Sequence, residues 1–127
     1  MIIVPCTQEK IWDSTPNAGA VAAKDAYTKP AFGAWRAFAE QSGSPWFILS
    51  TKYGLLHPDT EITRYNVPIS VALSDPTFFD RLAEQGRRLG LNKSQRVVLL
   101  DWERFQPLVR AAVGDAQVPC VLHRLQY

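Results

Sequence analysis

Four short, continuous apolar runs, spaced along the chain and separated by polar segments or amphipathic stripes, constrain the fold more than any other feature. They are residues 1–5 (MIIVP), 46–50 (WFILS), 96–100 (RVVLL) and 118–122 (VPCVL). Runs this short, apolar throughout and rich in β-branched residues, read as strands covered on both faces rather than as helices. Three stripes at helical spacing lie between them. Pro30 suits a helix first turn, Phe32, Trp35, Phe38 and Ala39 recur on one face, and Gly43 stops the helix. Asp75-Pro76 opens a second helix, with Phe78, Phe79, Leu82, Ala83 and Leu89 as its buried stripe opposite Arg81, Glu84, Arg87 and Arg88. Asp101 is expected to cap a third helix carrying Phe105, Leu108, Val109 and Ala112, ended by Gly114.

The order β-loop-α-β-loop-α-β-α-β predicts an α/β fold: a small three-layer domain with a central, mostly parallel four-stranded sheet and helices on both faces. Its 127 residues, 46% hydrophobic and 20% charged, match one globular unit spanning 1–127 with a core of its own. In such sheets ligands bind outside the carboxyl ends of the strands, where the strand order reverses. Two long polar segments, 6–28 and 51–70, leave from that edge, and loops of this length tend to carry function.

Charge excludes little. The net charge of +2 neither demands nor forbids a nucleic-acid partner, because a local patch matters more than the total. From Asp80 to Arg110 seven positive side chains face four negative ones, either as solvated helix faces or as phosphate contacts. Cys6 and Cys120 make no disulfide framework, and two histidines, His57 and His123, supply no metal set, so neither a metal nor another cofactor is expected. The amino terminus lacks a signal peptide's basic and apolar regions, and no stretch approaches the ~20 apolar residues of a membrane span. The expected location is the cytoplasm.

Chemistry concentrates in two clusters. Cys6-Thr7-Gln8-Glu9-Lys10 leaves the first strand with a thiol, a hydroxyl, an amide, a carboxylate and an ammonium. Lys10 could hold a phosphate and Glu9 could activate a water; equally, Cys6 could be a small core residue and the charges could solvate a loop. No glycines cradle a phosphate there, which excludes a P-loop or dinucleotide fingerprint. The second cluster runs from Ser50 through Lys52, Tyr53, Gly54, His57 and Asp59 to Tyr65 and Asn66. Gly54 permits a turn or close approach to a ligand, and Tyr53 and Tyr65 offer faces for stacking a base or for ordinary packing. Lys52 and Asp59 could act together or pair at the surface. Ahead of the first helix, Thr28, following Tyr27, could cap that helix.

These residues resemble a known group. Cys6…Lys10, Asp25-x-Tyr27-Thr28-x-Pro30-x-Phe32 and Phe47-Ile48-Leu49-Ser50-x-Lys52-x-Gly54-Leu55-Leu56-x-Pro58-Asp59, ending at Tyr65-Asn66, look like a family of small bacterial and phage proteins of unknown function. That family is similar to the YaaA-like proteins and, more distantly, to the uracil-DNA-glycosylase superfamily, some of whose members remove modified bases from phage DNA. The resemblance implies a uracil-DNA-glycosylase-like, Rossmannoid fold with a nucleobase pocket at the carboxyl edge of the sheet. It implies a DNA N-glycosylase that flips and excises a modified base, with a place in anti-phage defence. Glu9 or Asp59 would support the sugar cation or the water, Lys52 or Asn66 the charge on the base, and Tyr27, Tyr53 or Tyr65 would stack on it. Cys6, Thr7, Gln8, Lys10, Thr28, Ser50 and Gly54 would complete the pocket. Three departures stand out: Tyr53 where the family more often has histidine, a longer segment 11–24 that reads as a flap, and only a faint echo of a terminal histidine motif in Val121-Leu122-His123. The alternatives are a non-catalytic module that binds DNA, a nucleotide or a nucleobase, and a small-molecule enzyme with Cys6 as nucleophile. At this size a homodimer would enlarge the surface available for a duplex.

Overall fold

A computed structural model describes residues 1–94, 96–114 and 118–125. The four expected strands form, as β1 (Ile2–Pro5), β3 (Trp46–Ser50), β6 (Val97–Leu100) and β7 (Cys120–His123). They lie side by side and parallel in the order β3-β1-β6-β7. All residues of β1 and β6 are buried, and since successive side chains point to opposite faces, both faces of the sheet centre are covered. The chain moves from β1 to β3 on one side and later to β6 on the other. The strand order therefore reverses at β1.

The sheet has five strands, not the expected four. Gly54–Leu56 forms β4, antiparallel to β3, within the segment read as a loop. Gly54 takes a positive φ of 77°, which closes a three-residue turn after Ser50 and sends Leu55 and Leu56 back along the edge. Three apolar residues are too few for a periodic signal.

The two long loops are also more structured than expected. Segment 6–28 holds α1 (Ile11–Ser14), β2 (Val21–Ala22) and α2 (Ala23–Ala26). Segment 51–70 holds β5 (Glu61–Ile62), which pairs antiparallel with β2, and the start of α4 (Ile69–Leu73). The stretch read as a flap is thus tied down: Trp12 is buried and its indole N–H donates to the Gly19 carbonyl at 2.8 Å.

The helices α3 (Pro30–Gln41), α5 (Pro76–Leu89) and α6 (Gln106–Val113) fill the intervals between strands. Asp75 caps α5 by accepting from the Thr77 amide at 3.0 Å. Phe78, Leu82 and Gly86, four residues apart, form its buried face. Leu89 falls off that face and is 37% exposed, while Leu91 in the next turn takes a buried place instead. The two other expected caps do not form. Lys29 occupies the N-cap of α3 while Thr28 is exposed, its amide donating to the Glu9 carbonyl. Asp101 adopts a φ of 54°, and its carboxylate accepts from the Trp35 indole and the Leu125 amide, so a 3-10 turn at Glu103–Phe105 intervenes before α6. A buried indole N–H is a stronger claim on a carboxylate than an exposed helix end.

α5 and α6 pack closely because Gly86 lacks a side chain. A methyl group there would sit 1.6 Å from the Ala112 carbonyl oxygen. Gly86→Ala should therefore lower stability by about 1–3 kcal/mol through overpacking, seen as a reduced urea midpoint.

Candidate functional site

The strand order reverses at β1, and the cavity of interest opens there. It encloses about 120 Å³ and draws on the segments leaving three parallel strands: Cys6, Thr7, Gln8 and Lys10 after β1, Thr51 after β3, and Trp102 and Phe105 after β6. Asn66 and Ile69 lie on its remaining side. Sequence reasoning found the first two segments and missed the third, because Asp101 was read as a helix cap. The rule that a switch point gathers every neighbouring strand end would have brought in Trp102.

Behind the cavity, hydroxyl groups form a buried junction. Ser50 Oγ accepts from the backbone amides of Lys52 and Tyr53 at 3.2 and 3.1 Å, so its own proton goes to Tyr65 Oη at 2.9 Å. Tyr65 Oη also meets Tyr27 Oη at 2.7 Å. Tyr27 and Tyr65 are both buried, in the same core cluster as Cys6. Burial pushes both phenols well above their ordinary value. It also pushes the Cys6 thiol up, against the opposing pull of the Thr51 amide, Tyr65 and Lys10. Cys6 is accordingly a neutral thiol at physiological pH.

Lys10 is the unusual charge of the site. Only 6% of it is exposed, and Nζ donates to the Gln8 carbonyl at 3.0 Å and lies 4.6 Å from the Tyr65 ring centroid and 5.9 Å from that of Tyr27. Burial lowers its pKa, opposed by the neighbouring Cys6 sulfur and the Asp13 carboxylate. Asp13 is occupied by the Lys10 backbone amide, and among the described residues no carboxylate pairs with the Lys10 ammonium. A buried cation held by one carbonyl and two aromatic faces keeps donors for a ligand.

The other nominated residues scatter. Asp59 is exposed, pairs with Lys24 at 2.6 Å and lines a different cavity with Trp46, Phe47 and His57. Lys24 holds its carboxyl below the usual range. Lys52 is exposed, with Nζ 5.1 Å from the Tyr53 ring centroid. Neither is among the residues lining the cavity, and among the described residues no ion pair joins them to each other. Glu9 is exposed, between the two lining residues Gln8 and Lys10. None of the three tyrosines lines the cavity: Tyr27 and Tyr65 stand behind it, and Tyr53 packs edge-on against Tyr65. The aromatic residues that line the cavity are Trp102, with Lys29 Nζ 5.3 Å from its ring centroid, and the buried Phe105. The close approach that Gly54 permits is to the Gln85 side chain rather than to a ligand. Gln85 accepts from the Leu55 amide at 2.8 Å and donates to the Tyr53 carbonyl at 2.9 Å. Among the described residues no group of three or more His, Cys, Asp or Glu side chains could hold a metal ion, and no helix is long and apolar enough to cross a membrane.

Known proteins give a family but no chemistry. The model of a family described as "Family of unknown function (DUF6884)" matches residues 1–121. The "Uncharacterized protein YfjM" of Bacillus subtilis (strain 168) is 32% identical over 118 residues, covering 92% of this chain and 79% of that protein. No solved structure matches the chain.

The buried junction predicts an alkaline weakness. Below pH 9 the thiol and phenols are neutral in both folded and unfolded chains. Above the ordinary values of 9.0 for Cys6 and 10.0 for the phenols, the unfolded chain loses protons that the folded chain retains. Stability is therefore lost as pH rises. Lys10, its pKa lowered, acts oppositely up to its ordinary 10.5, so the loss should be steepest above that value. Tyr65→Phe should flatten this loss in urea midpoints measured across the alkaline range. At neutral pH the same change should cost about 1–3 kcal/mol by leaving the Ser50 hydroxyl without its acceptor.

Proposed function

The chain belongs to the DUF6884 family of unknown function, and on that premise we propose that its carboxyl-edge cavity receives a nucleobase and that the protein cleaves the N-glycosidic bond of that base in DNA. The carrying observation is the cavity itself: about 120 Å³ at the sheet's switch point, walled by Trp102 and edged by Lys10, Gln8, Thr51 and Asn66. This is well below the roughly 300–1,000 Å³ of pockets that enclose a whole small ligand. It suits a single ring inserted from outside, as a base extruded from its stack would be. Kinship with YaaA-like proteins and a uracil-DNA-glycosylase-like arrangement of the layers belong to this same reading, as does a role against phage DNA.

The chemistry follows from the charges. Cleavage leaves a cationic sugar and an electron-rich base. Donors aimed at the departing base favour that transition state, most strongly where water is excluded. Lys10 takes this role in place of Lys52, because it is buried and is one of the residues lining the cavity, whereas Lys52 is exposed and is not. Asn66 can donate its amide to the edge of the base. A water adds to the sugar carbon, and its proton passes to a carboxylate, for which Glu9 beside the cavity is better placed than Asp59.

One observation favours a second reading. Among the described residues, those lining the cavity include a lysine but no carboxylate, which suits a module that binds a base or nucleotide without cutting it. Incubation with DNA carrying normal, uracil, glucosylated or otherwise modified bases, with mass spectrometry of free bases, separates the two. A glycosylase should release one base. Lys10→Met should slow this about 10²–10³-fold and Glu9→Gln about 10²–10⁴-fold, while Asp59→Asn should leave it near the unaltered rate. Salt-sensitive DNA binding with no base released from any substrate would replace the enzyme with the binding module.

A further inference from the structure

A second opening adjoins the base cavity. It is a broad basin of about 570 Å³ lined by Leu73, Glu103, Arg104, Gln106, Pro107 and Arg110. The same two elements build both. The 3-10 turn Glu103–Phe105 gives Phe105 to the small cavity and Glu103 and Arg104 to the basin. Helix α4 gives Ile69 to the cavity and Leu73 to the basin, and these residues, four apart, share one helix face. The two openings therefore share their supporting elements.

The charges of the basin are unspent. Arg104 and Arg110 are exposed, and among the described residues neither guanidinium takes part in an ion pair or a side-chain hydrogen bond. The one carboxylate of the basin, Glu103, approaches Arg124 at 3.4 Å. Two such guanidiniums in one concavity match phosphate oxygens in charge and fork geometry. The basin's size and breadth suit sugar and phosphate rather than a second enclosed ring.

Resting on the reading of the small cavity as a base pocket, we propose that Arg104 and Arg110 bind the phosphates of the nucleic-acid strand whose base enters that cavity, so that the ligand is a polynucleotide rather than a free nucleotide. The base supplies selectivity by insertion, and the strand supplies affinity by charge.

The test compares a fluorescein-labelled oligothymidylate, by anisotropy over a range of salt, with thymidine monophosphate, by calorimetry. Both use the full chain and its Arg104→Ala/Arg110→Ala variant. The oligomer should bind more tightly than the nucleotide. In the variant, the slope of log affinity against log salt should shrink by about 1.4, which is about 0.7 for each of two single-strand phosphates that an arginine no longer neutralises. Thymidine monophosphate affinity should fall by less than that of the oligomer, and an unchanged circular dichroism spectrum and urea midpoint show that the variant is folded. An unchanged salt slope, or an oligomer bound no more tightly than the nucleotide, overturns the strand assignment and leaves the base pocket standing. Failure of the unaltered protein to bind either probe overturns the base pocket together with the strand path that rests on it.

Discussion

The site depends on the buried contact between Ser50, Tyr65 and Tyr27. Ser50 stands at the end of β3, Tyr65 in the segment before α4, and Tyr27 just after α2, so three hydroxyls from distant positions join the two long connections to the sheet. The Lys52 and Tyr53 amides fix the Ser50 lone pairs, which directs its proton to Tyr65. In a low-dielectric interior such a chain must be fully partnered, because each unmatched hydroxyl is costly. That requirement holds the segments after β1 and β3 at one distance from each other. The cavity is the space left between them.

The same burial determines what each group can do. Cys6 is kept protonated by desolvation, so its thiol is a weak nucleophile at neutral pH. Lys10 experiences the opposite effect, since desolvation penalises its charge and leaves it dependent on a carbonyl, two aromatic rings and whatever enters the cavity. A cation in that position favours a ligand rich in acceptor oxygens or nitrogens. Trp102, half-buried and facing the same space, favours one that is flat. The exposed arginines Arg104 and Arg110 line a separate opening rather than this cavity.

The Ser50-to-Asp59 motif has a reading that function alone would have obscured. Much of its regularity serves a hairpin. Ser50 receives the turn amides, Gly54 supplies the left-handed residue, Leu55 and Leu56 form the edge strand, and the Gln85 amide closes the turn from α5. Lys52 and Asp59 sit on the outside of that hairpin with separate partners. Spacing made them look like a pair because a linear motif carries no information about which way a tight turn points its side chains.

The sequence by itself determined the four parallel strands, the three principal helices and the cap at Asp75. These follow from periodicity and from residues whose local chemistry dominates their neighbours. Tertiary structure alone decided that Asp101 serves Trp35 rather than a helix end, that Trp102 rather than a tyrosine faces the cavity, and that Lys10 is buried while Glu9 beside it is not. Those outcomes depend on which distant groups compete for the same carboxylate, the same hydroxyl or the same dry volume. Such competition is resolved only when the chain is packed.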